Sequence, residues 1–329
     1  MSKIARIRAA FALLAVLVCA LAFAACGDDN ESGDSSGTSS DGGGTAIEAN
    51  PENSKVTLTI GSKNFTEQIV LGEIYAQALA AAGYEVNKDL NLGSEVIALE
   101  ALKNGEVSGY PEYVSTALTS FFDVAPEEVP ADPQEGADQA NTEFEKDGLV
   151  AFAPTPFASA NAVGLLKSTA EELGVETISD LEGKSEDLAL FGSPECRQRV
   201  DCLVGLNDNY GLEFKSFTPV DIEQRYAVLD SGQADLSILF TTDAQLGTEN
   251  SKYTILEDDQ QVFPAGNVIF VTDEKTVEKA GPDYQETIEL VQSELTEEVM
   301  QELSARVDLD QEDPAAVAAD YLKAAGYIG

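Results

Sequence analysis

From Val56 onward, short β-branched runs alternate with apolar-periodic stretches, and polar turns separate them. That alternation constrains the fold more than any other feature. "VTLTI" at 56–60 predicts a strand. "GSKNFTEQ" at 61–68 predicts the turn after it, with Asn64 and Glu67 at capping-box spacing. Ile69, Val70, Ile74, Ala78, Leu79 and Ala82 mark one face of the following helix, and Gly83 ends it. The plan then repeats. Ser94 caps a helix running to about Lys103, Asn104-Gly105 stops it, "EVSGY" reads as a strand, and "PEYVSTAL" turns into another helix. "TISDLEGKSEDLALFG" reads as a short helix and a strand, and "DIEQRYAVLDSGQADLSILFTTDAQL" as helix, turn, strand and polar turn. "VAFAPTPFASANAVGLL" and "YTILEDDQQVFPAGNVIFVT" read as crossings between lobes, and the chain beyond about residue 275 is helical. The expected class is α/β, in two lobes with mixed, mostly parallel sheets. Ligands of such sheets sit at the carboxyl ends of strands, so the polar turns are the places to look. In "GSKNFTEQ" the free N–H groups of a helix start, joined by Lys63, favour an anion.

The first 25 residues read as an export signal. Lys3, Arg6 and Arg8 precede the apolar run "AAFALLAVLVCALAFAAC", which ends in Ala24-Ala25-Cys26. It resembles a bacterial lipoprotein signal, with Cys26 as the lipid-bearing residue, although Phe23 stands where Leu is usual. Residues 26–54 are rich in Gly, Ser, Asp and Asn and read as a disordered tether. Of the folded part, residues 55–154 with 267–329 are expected to form one lobe and 155–266 the other. All 59 acidic residues but only 16 of the 19 basic ones lie beyond position 25, a formal charge of −43. Such a chain repels nucleic acid. It contains no His, the commonest general base and metal ligand, and no metal site or cofactor is expected. With Cys19 in the signal and Cys26 lipidated, Cys196 and Cys202 in "PECRQRVDC" are expected to pair outside the cytoplasm. So short a loop gains about 2 kcal/mol from chain entropy. Its main effect would be local, on Arg197 and Arg199.

Seven stretches, in order, resemble the substrate-binding lipoproteins of ABC importers for quaternary ammonium compounds (the glycine betaine, carnitine and choline family). They are "GSKNFTEQIVLGEIYAQAL", "NGEVSGYPEYVSTAL", "PTPFASANAVGL", "SPECRQRVDCLVGLNDNYGLEF", "LFTTDAQL", "VFPAGNVIFVT" and "DPAAVAADYLKAAG". The resemblance implies a type II periplasmic-binding-protein fold, two lobes joined by two crossing segments with the ligand clamped between. It also implies a carboxylate end made by Lys63, Thr116 and Arg199, a point charge, a hydroxyl and a planar fork. The ammonium end of the family is a box of tyrosine faces. Here Tyr113 matches one wall, Phe240 and Asn161 stand where Tyr is usual, and Gly266 replaces a fourth. Asn64, Gln68, Phe157, Ser159 and Asp243 are secondary candidates for contact with the ligand. Tyr110 and Phe263 are further rings that compensate if they face the site.

The depleted box leaves two ligand readings open: a betaine-type osmolyte held by rearranged rings, or an amine-bearing carboxylate hydrogen-bonded by Asn161 and Ser159. The resemblance further implies a membrane permease as partner, a monomer, and an extracytoplasmic, lipid-anchored location. A sensory binding protein on the same scaffold is a third reading. An enzyme is disfavoured, since there is no His, no free thiol and no G-x-S-x-G elbow. Glu112 and Asp243 are the pair of acids that such an activity would have to use.

Overall fold

The β-branched runs pair into two sheets in the computed structural model, which describes residues 46–329. The export signal, Cys26 and residues 26–45 of the tether lie outside the described residues. Among the described residues eleven strands form in chain order: β1 (Thr57–Gly61), β2 (Glu85–Asp89), β3 (Gly109–Tyr113), β4 (Leu149–Ala151), β5 (Ala158–Ser159), β6 (Asn161–Leu166), β7 (Ala189–Gly192), β8 (Ser216–Pro219), β9 (Leu236–Phe240), β10 (Tyr253–Ile255) and β11 (Gly266–Asp273). The first sheet runs β2-β1-β3-β11-β4, with β5 beside the start of β11, and the second runs β10-β6-β9-β7-β8. Within each sheet three strands are parallel, β2-β1-β3 in one and β9-β7-β8 in the other. The antiparallel members are those at or near the crossings, β4, β5 and β11 in the first sheet and β6 and β10 in the second.

Each sheet carries its own core. The largest cluster covers one face of the first sheet and includes Leu58, Ile60, Phe270 and the C-terminal residues Val317, Tyr321 and Leu322. The second sheet buries Val163, Leu190, Leu236 and Ile238 together with Cys196 and Cys202. A third cluster, with Tyr110, Leu118, Phe144 and Ile269, covers the other face of the first sheet. Hydrophobic burial of this kind is what holds each half as a unit.

The Thr66–Ala81 helix departs from the one-face pattern. Val70, Leu71, Ile74, Tyr75, Ala78 and Leu79 are all buried while Ile69 is partly exposed. The helix is wedged between the first sheet and the C-terminal helices Pro282–Gln292, Glu297–Asp308 and Pro314–Ala324. A helix covered on several sides needs no single stripe. Nor does the expected Asn64–Glu67 capping box form. Phe65 is the N-cap, with extended backbone and no side-chain cap bond. Glu67 turns inward to Tyr113, and Gln68 Oε1 accepts from the Lys63 N–H at 3.3 Å. "TISDL" yields a 3₁₀ turn, Ser179–Leu181, rather than an α-helix.

The folded part also begins earlier than residue 55. The Ile47 N–H donates to the Tyr327 carbonyl at 2.9 Å. Pro51–Lys55 forms a 3₁₀ turn, and buried Asn53 donates to the Ala82 carbonyl and to Asp283. These bonds fasten the last stretch of the expected tether to the first half. Among the described residues no helix is long and apolar enough to cross a membrane.

Candidate functional site

The carboxyl ends of the parallel strands meet at a cleft between the two sheets. Lys63 follows β1, Tyr113 ends β3, Arg199 lies beyond β7, and Phe240 ends β9. All four line the cleft. Lys63, Asn64, Tyr113 and Thr116 come from the first half, and Asn161, Arg199 and Phe240 from the second, with Ser159 on the crossing strand β5. The cleft holds a cavity of about 80 Å³. A single water needs about 10–15 Å³ by the same measure, so there is room for a small solute.

Both cations of the expected anion end, Lys63 and Arg199, are paired with the chain's own carboxylates. Lys63 is only 4 % exposed, and its Nζ is paired with Glu112, which is fully buried. Glu112 is held in turn by Tyr110, whose Oη donates to Oε2 at 3.1 Å, and by the Tyr113 N–H at 2.7 Å. The buried "YPEY" strand thus builds a socket for the lysine. Arg199 Nε donates to Asp201 Oδ1 at 2.7 Å and Nη2 to Oδ2, a bidentate pair, while Nη1 reaches Glu95 Oε1 at 3.2 Å. Glu95 belongs to the first half, so this pair bridges the cleft. Two cations here face three carboxylates. The Cys196–Cys202 disulfide, with Cα atoms 5.1 Å apart, closes the loop that carries Arg199.

The ring faces are also in use. Lys63 Nζ lies 4.5 Å from the Tyr113 ring centroid, and Arg225 Cζ lies 4.1 Å from that of Phe240. Both distances are within cation–π range. Phe65 completes the set, 5.0 Å from Phe240 across the cleft and 6.3 Å from Tyr113. Arg225 donates through Nη2 to Asp243, and Asp243 also accepts from Tyr226 Oη at 2.8 Å and the Phe240 N–H at 2.9 Å. Arg225 is 8 % exposed, yet Nε and Nη1 have no acceptor among the described residues. Glu67 accepts from Tyr113 Oη, and burial holds its carboxyl above the ordinary carboxylate value. Burial likewise raises Tyr113, with Glu67 adding to the effect.

Four expected contact residues do not line the cleft. Gln68 is fully buried behind it and braces the Lys63 backbone. Phe157 belongs to the core of the first sheet, and its carbonyl accepts from Thr155 and Asn267. Asp243 stands behind Phe240 as the support of Arg225. Gly266 pairs with Ser159, and a Cβ there would lie 2.3 Å from Ser115 Oγ. No ring fits in its place, so Gly266 is a close-packing position. Of the other rings, Phe263 lines the cleft and Tyr110 lies beneath it, fully buried. Of the two acids named for a possible enzyme, Glu112 is paired with Lys63 and Asp243 with Arg225.

Among the lining residues that escaped the sequence reading are Phe65, Glu95 and Arg225. Phe65 was hidden because it sits inside a turn already explained by polarity. Glu95 follows the N-cap Ser94, where an acid is ordinary on dipole grounds. Arg225 opens a short helix, where a basic residue is usually a solvated one. Its signal was local: Tyr226 follows it, and "FTTD" with Asp243 lies nearby in sequence.

Over residues 56–324 the chain matches the family model described as the substrate binding domain of ABC-type glycine betaine transport system. It is 34 % identical over 281 residues to a glycine-betaine-binding protein of Pseudomonas aeruginosa, covering 81 % of this chain and 87 % of that protein. It is 28 % identical to the ergothioneine transport permease/ergothioneine binding protein EgtU of Helicobacter pylori, covering 85 % of this chain and 49 % of that longer protein. Among solved structures it resembles a glycine betaine/carnitine/choline ABC transporter protein, with a TM-score of 0.62, 26 % identity, and coverage of 81 % of this chain and 97 % of that one. The two-sheet architecture is accordingly the type II periplasmic-binding-protein fold. The chain belongs to the OpuAC family, the substrate-binding domains of ABC-type glycine betaine transport systems.

Proposed function

We propose that this chain is the extracytoplasmic solute-binding component of an ABC importer. It captures a small quaternary ammonium osmolyte of the glycine betaine, choline or carnitine type and delivers it unaltered to a membrane permease. The observation that carries this reading is the cleft between the two halves, where Phe65 and Tyr113 from one side meet Phe240 from the other. Ring faces attract a cation that has no N–H to donate. A solute touching both halves favours the closed form over the open one. Residues 55–154 with 267–329 act as one lobe and 155–266 as the other. Cys26 carries the lipid that keeps the monomer at the membrane, and the segment after it gives reach. Calorimetric titration of the purified protein tests the function. Glycine betaine is expected to bind with a Kd of roughly 1–100 μM, in the range where −8 kcal/mol lies. Absence of heat with glycine betaine, choline and carnitine alike overturns the reading.

A second reading is favoured by the cleft's acidic lining. Glu95, Glu195 and Asp201 border the cavity, and Asn161 donates to the Asp201 carbonyl at 3.2 Å. Carboxylates and an amide suit an amine with N–H groups better than a methylated one. Tighter binding of an amino acid than of its trimethylated counterpart would select this solute class.

A further inference from the structure

Tyr113 lines the cleft, and a ring wall serves a solute only if the ring is held in place. Three constraints act on it. Its backbone is fixed at the end of β3, where Tyr113 pairs with Val268 of β11. Phe65 lies beside the ring at 6.3 Å, with the two planes 17° apart. The third constraint is at the far end of the side chain, where Oη donates to Glu67 Oε1. Burial pushes the Tyr113 hydroxyl well above the ordinary tyrosine value, so it keeps its proton and acts as the donor. A tyrosine has only two side-chain torsions, so fixing both the backbone and the hydroxyl fixes the axis of the ring.

We propose that Glu67 is a positioning residue of the solute site: it holds the Tyr113 hydroxyl and thereby sets the ring face that the solute meets. The inference rests on the solute-binding reading above and gives a role to a residue that stands behind the cleft, 6 % exposed. Glu67 reaches Tyr113 from the first turn of the Thr66–Ala81 helix, which packs on the first sheet and on three C-terminal helices. The ring is thus tied to the best-supported helix of the first half. Ionised or protonated, a carboxyl keeps an oxygen that can accept. The other side of Glu67 belongs to the seam between the halves. A small void there is lined by Glu67 and Ser304 from the first half and by Arg225, Phe240 and Thr242 from the second. The second half therefore packs against the group that holds the ring.

Gln68 is the other polar neighbour of the hydroxyl. Its Oε1 already accepts from the Lys63 N–H at 3.3 Å, and its amide nitrogen has only hydrogens to give. It cannot take the Tyr113 proton, which leaves that task to Glu67. A buried hydroxyl deprived of its acceptor is costly, and it moves toward another acceptor or toward water. The oxygen lies on the ring axis, so it can move only if the ring moves with it.

The test joins calorimetric titration with glycine betaine to crystal structures of the solute-free variants. Glu67→Leu removes the acceptor at similar size, and Tyr113→Phe removes the donor while keeping the ring. Each is expected to weaken glycine betaine about three- to tenfold, the loss of one buried hydrogen bond. The double variant is expected to lose no more than either single one, because both break the same bond. Glu67→Gln restores an acceptor and is expected to recover most of the affinity. In the Glu67→Leu structure the Tyr113 ring is expected to be turned from its place. A ring that stays put overturns the proposal. So do losses that add in the double variant, since Glu67 would then act on the seam and not through the ring. Unchanged affinity in Tyr113→Phe overturns it as well, and so does a loss in Glu67→Gln as large as in Glu67→Leu. If Glu67→Leu does not fold, the Tyr113→Phe and Glu67→Gln titrations decide alone. A displaced ring in a protein whose unaltered form binds neither glycine betaine, choline nor carnitine supports the positioning role and rejects the quaternary ammonium reading instead.

Discussion

Glu67 shows how much a single side chain can depend on its surroundings. It lies in the first turn of a helix, where an acid usually meets water and the helix dipole. Here it is buried beside Tyr113, Thr242 and Asp243, and desolvation keeps its proton on above the ordinary value of 4.5. The unfolded chain ionises near that ordinary value. Between it and the raised folded value, the folded state binds more protons than the unfolded state. Stability from this group is therefore full below 4.5 and is lost as pH rises through the folded value. Glu67→Gln keeps an acceptor for Tyr113 Oη and has no charge to bury. It is expected to raise stability by about 1–3 kcal/mol above neutral pH, with the gain vanishing in acid. Thermal melts of both proteins across pH check this, and a gap that does not change with pH refutes it. None of this was legible in "FTEQIV", which reads as an exposed helix start. Lys63 was legible as a cleft residue from its charge at a strand-to-helix turn, and Arg199 only through the family resemblance. Their neutralisation was less so. Asp201 is two residues from Arg199, but Glu112 and Glu95 reach their partners only through the tertiary fold.

At the scale of elements, the sequence period recovered most strands and helices and missed where backbones touch. β1 and β11 follow β-branched runs and β6 and β9 apolar ones, residues that a pleated, buried surface selects. Gly266 was read as a lost ring because a tyrosine was expected there. Its real constraint is the approach of β11 to Ser115 next to the cleft. An added Cβ would stand 2.3 Å from Ser115 Oγ and 2.7 Å from the Ser115 backbone N. The hydroxyl can rotate away but the amide cannot. Gly266→Ala is therefore expected to cost about 1–3 kcal/mol, the range for overpacked sites. Ser115→Ala added to it should recover only part of the loss. Urea unfolding reads this as a lower midpoint at unchanged slope. Full recovery in the double variant would mean that the hydroxyl, not the backbone, sets the limit.

Across the whole molecule, the contacts that matter for uptake are those that join the halves away from the two crossings. Phe65 meets Phe240, and the short helix Ala244–Gly247 packs on Glu297–Asp308. Arg199 reaches Glu95 at 3.2 Å. The last of these is the most selective probe of closure, because Arg199 keeps its bidentate bond to Asp201 when Glu95 is removed. Neither half then loses its internal packing, and Glu95 leaves no buried charge unpaired. Removing the pair biases the molecule toward the open form by the energy of one partly buried charged hydrogen bond, about 1 kcal/mol. A ligand that binds the closed form best then dissociates sooner, while encounter with the open form is little changed. Glu95→Ala is expected to speed solute release about fivefold and to leave association nearly constant. It should also enlarge the radius of gyration of the solute-free protein in small-angle scattering. Stopped-flow kinetics separates the two rates. A change confined to the association rate would place Glu95 in steering the solute toward the cleft and not in holding the halves together.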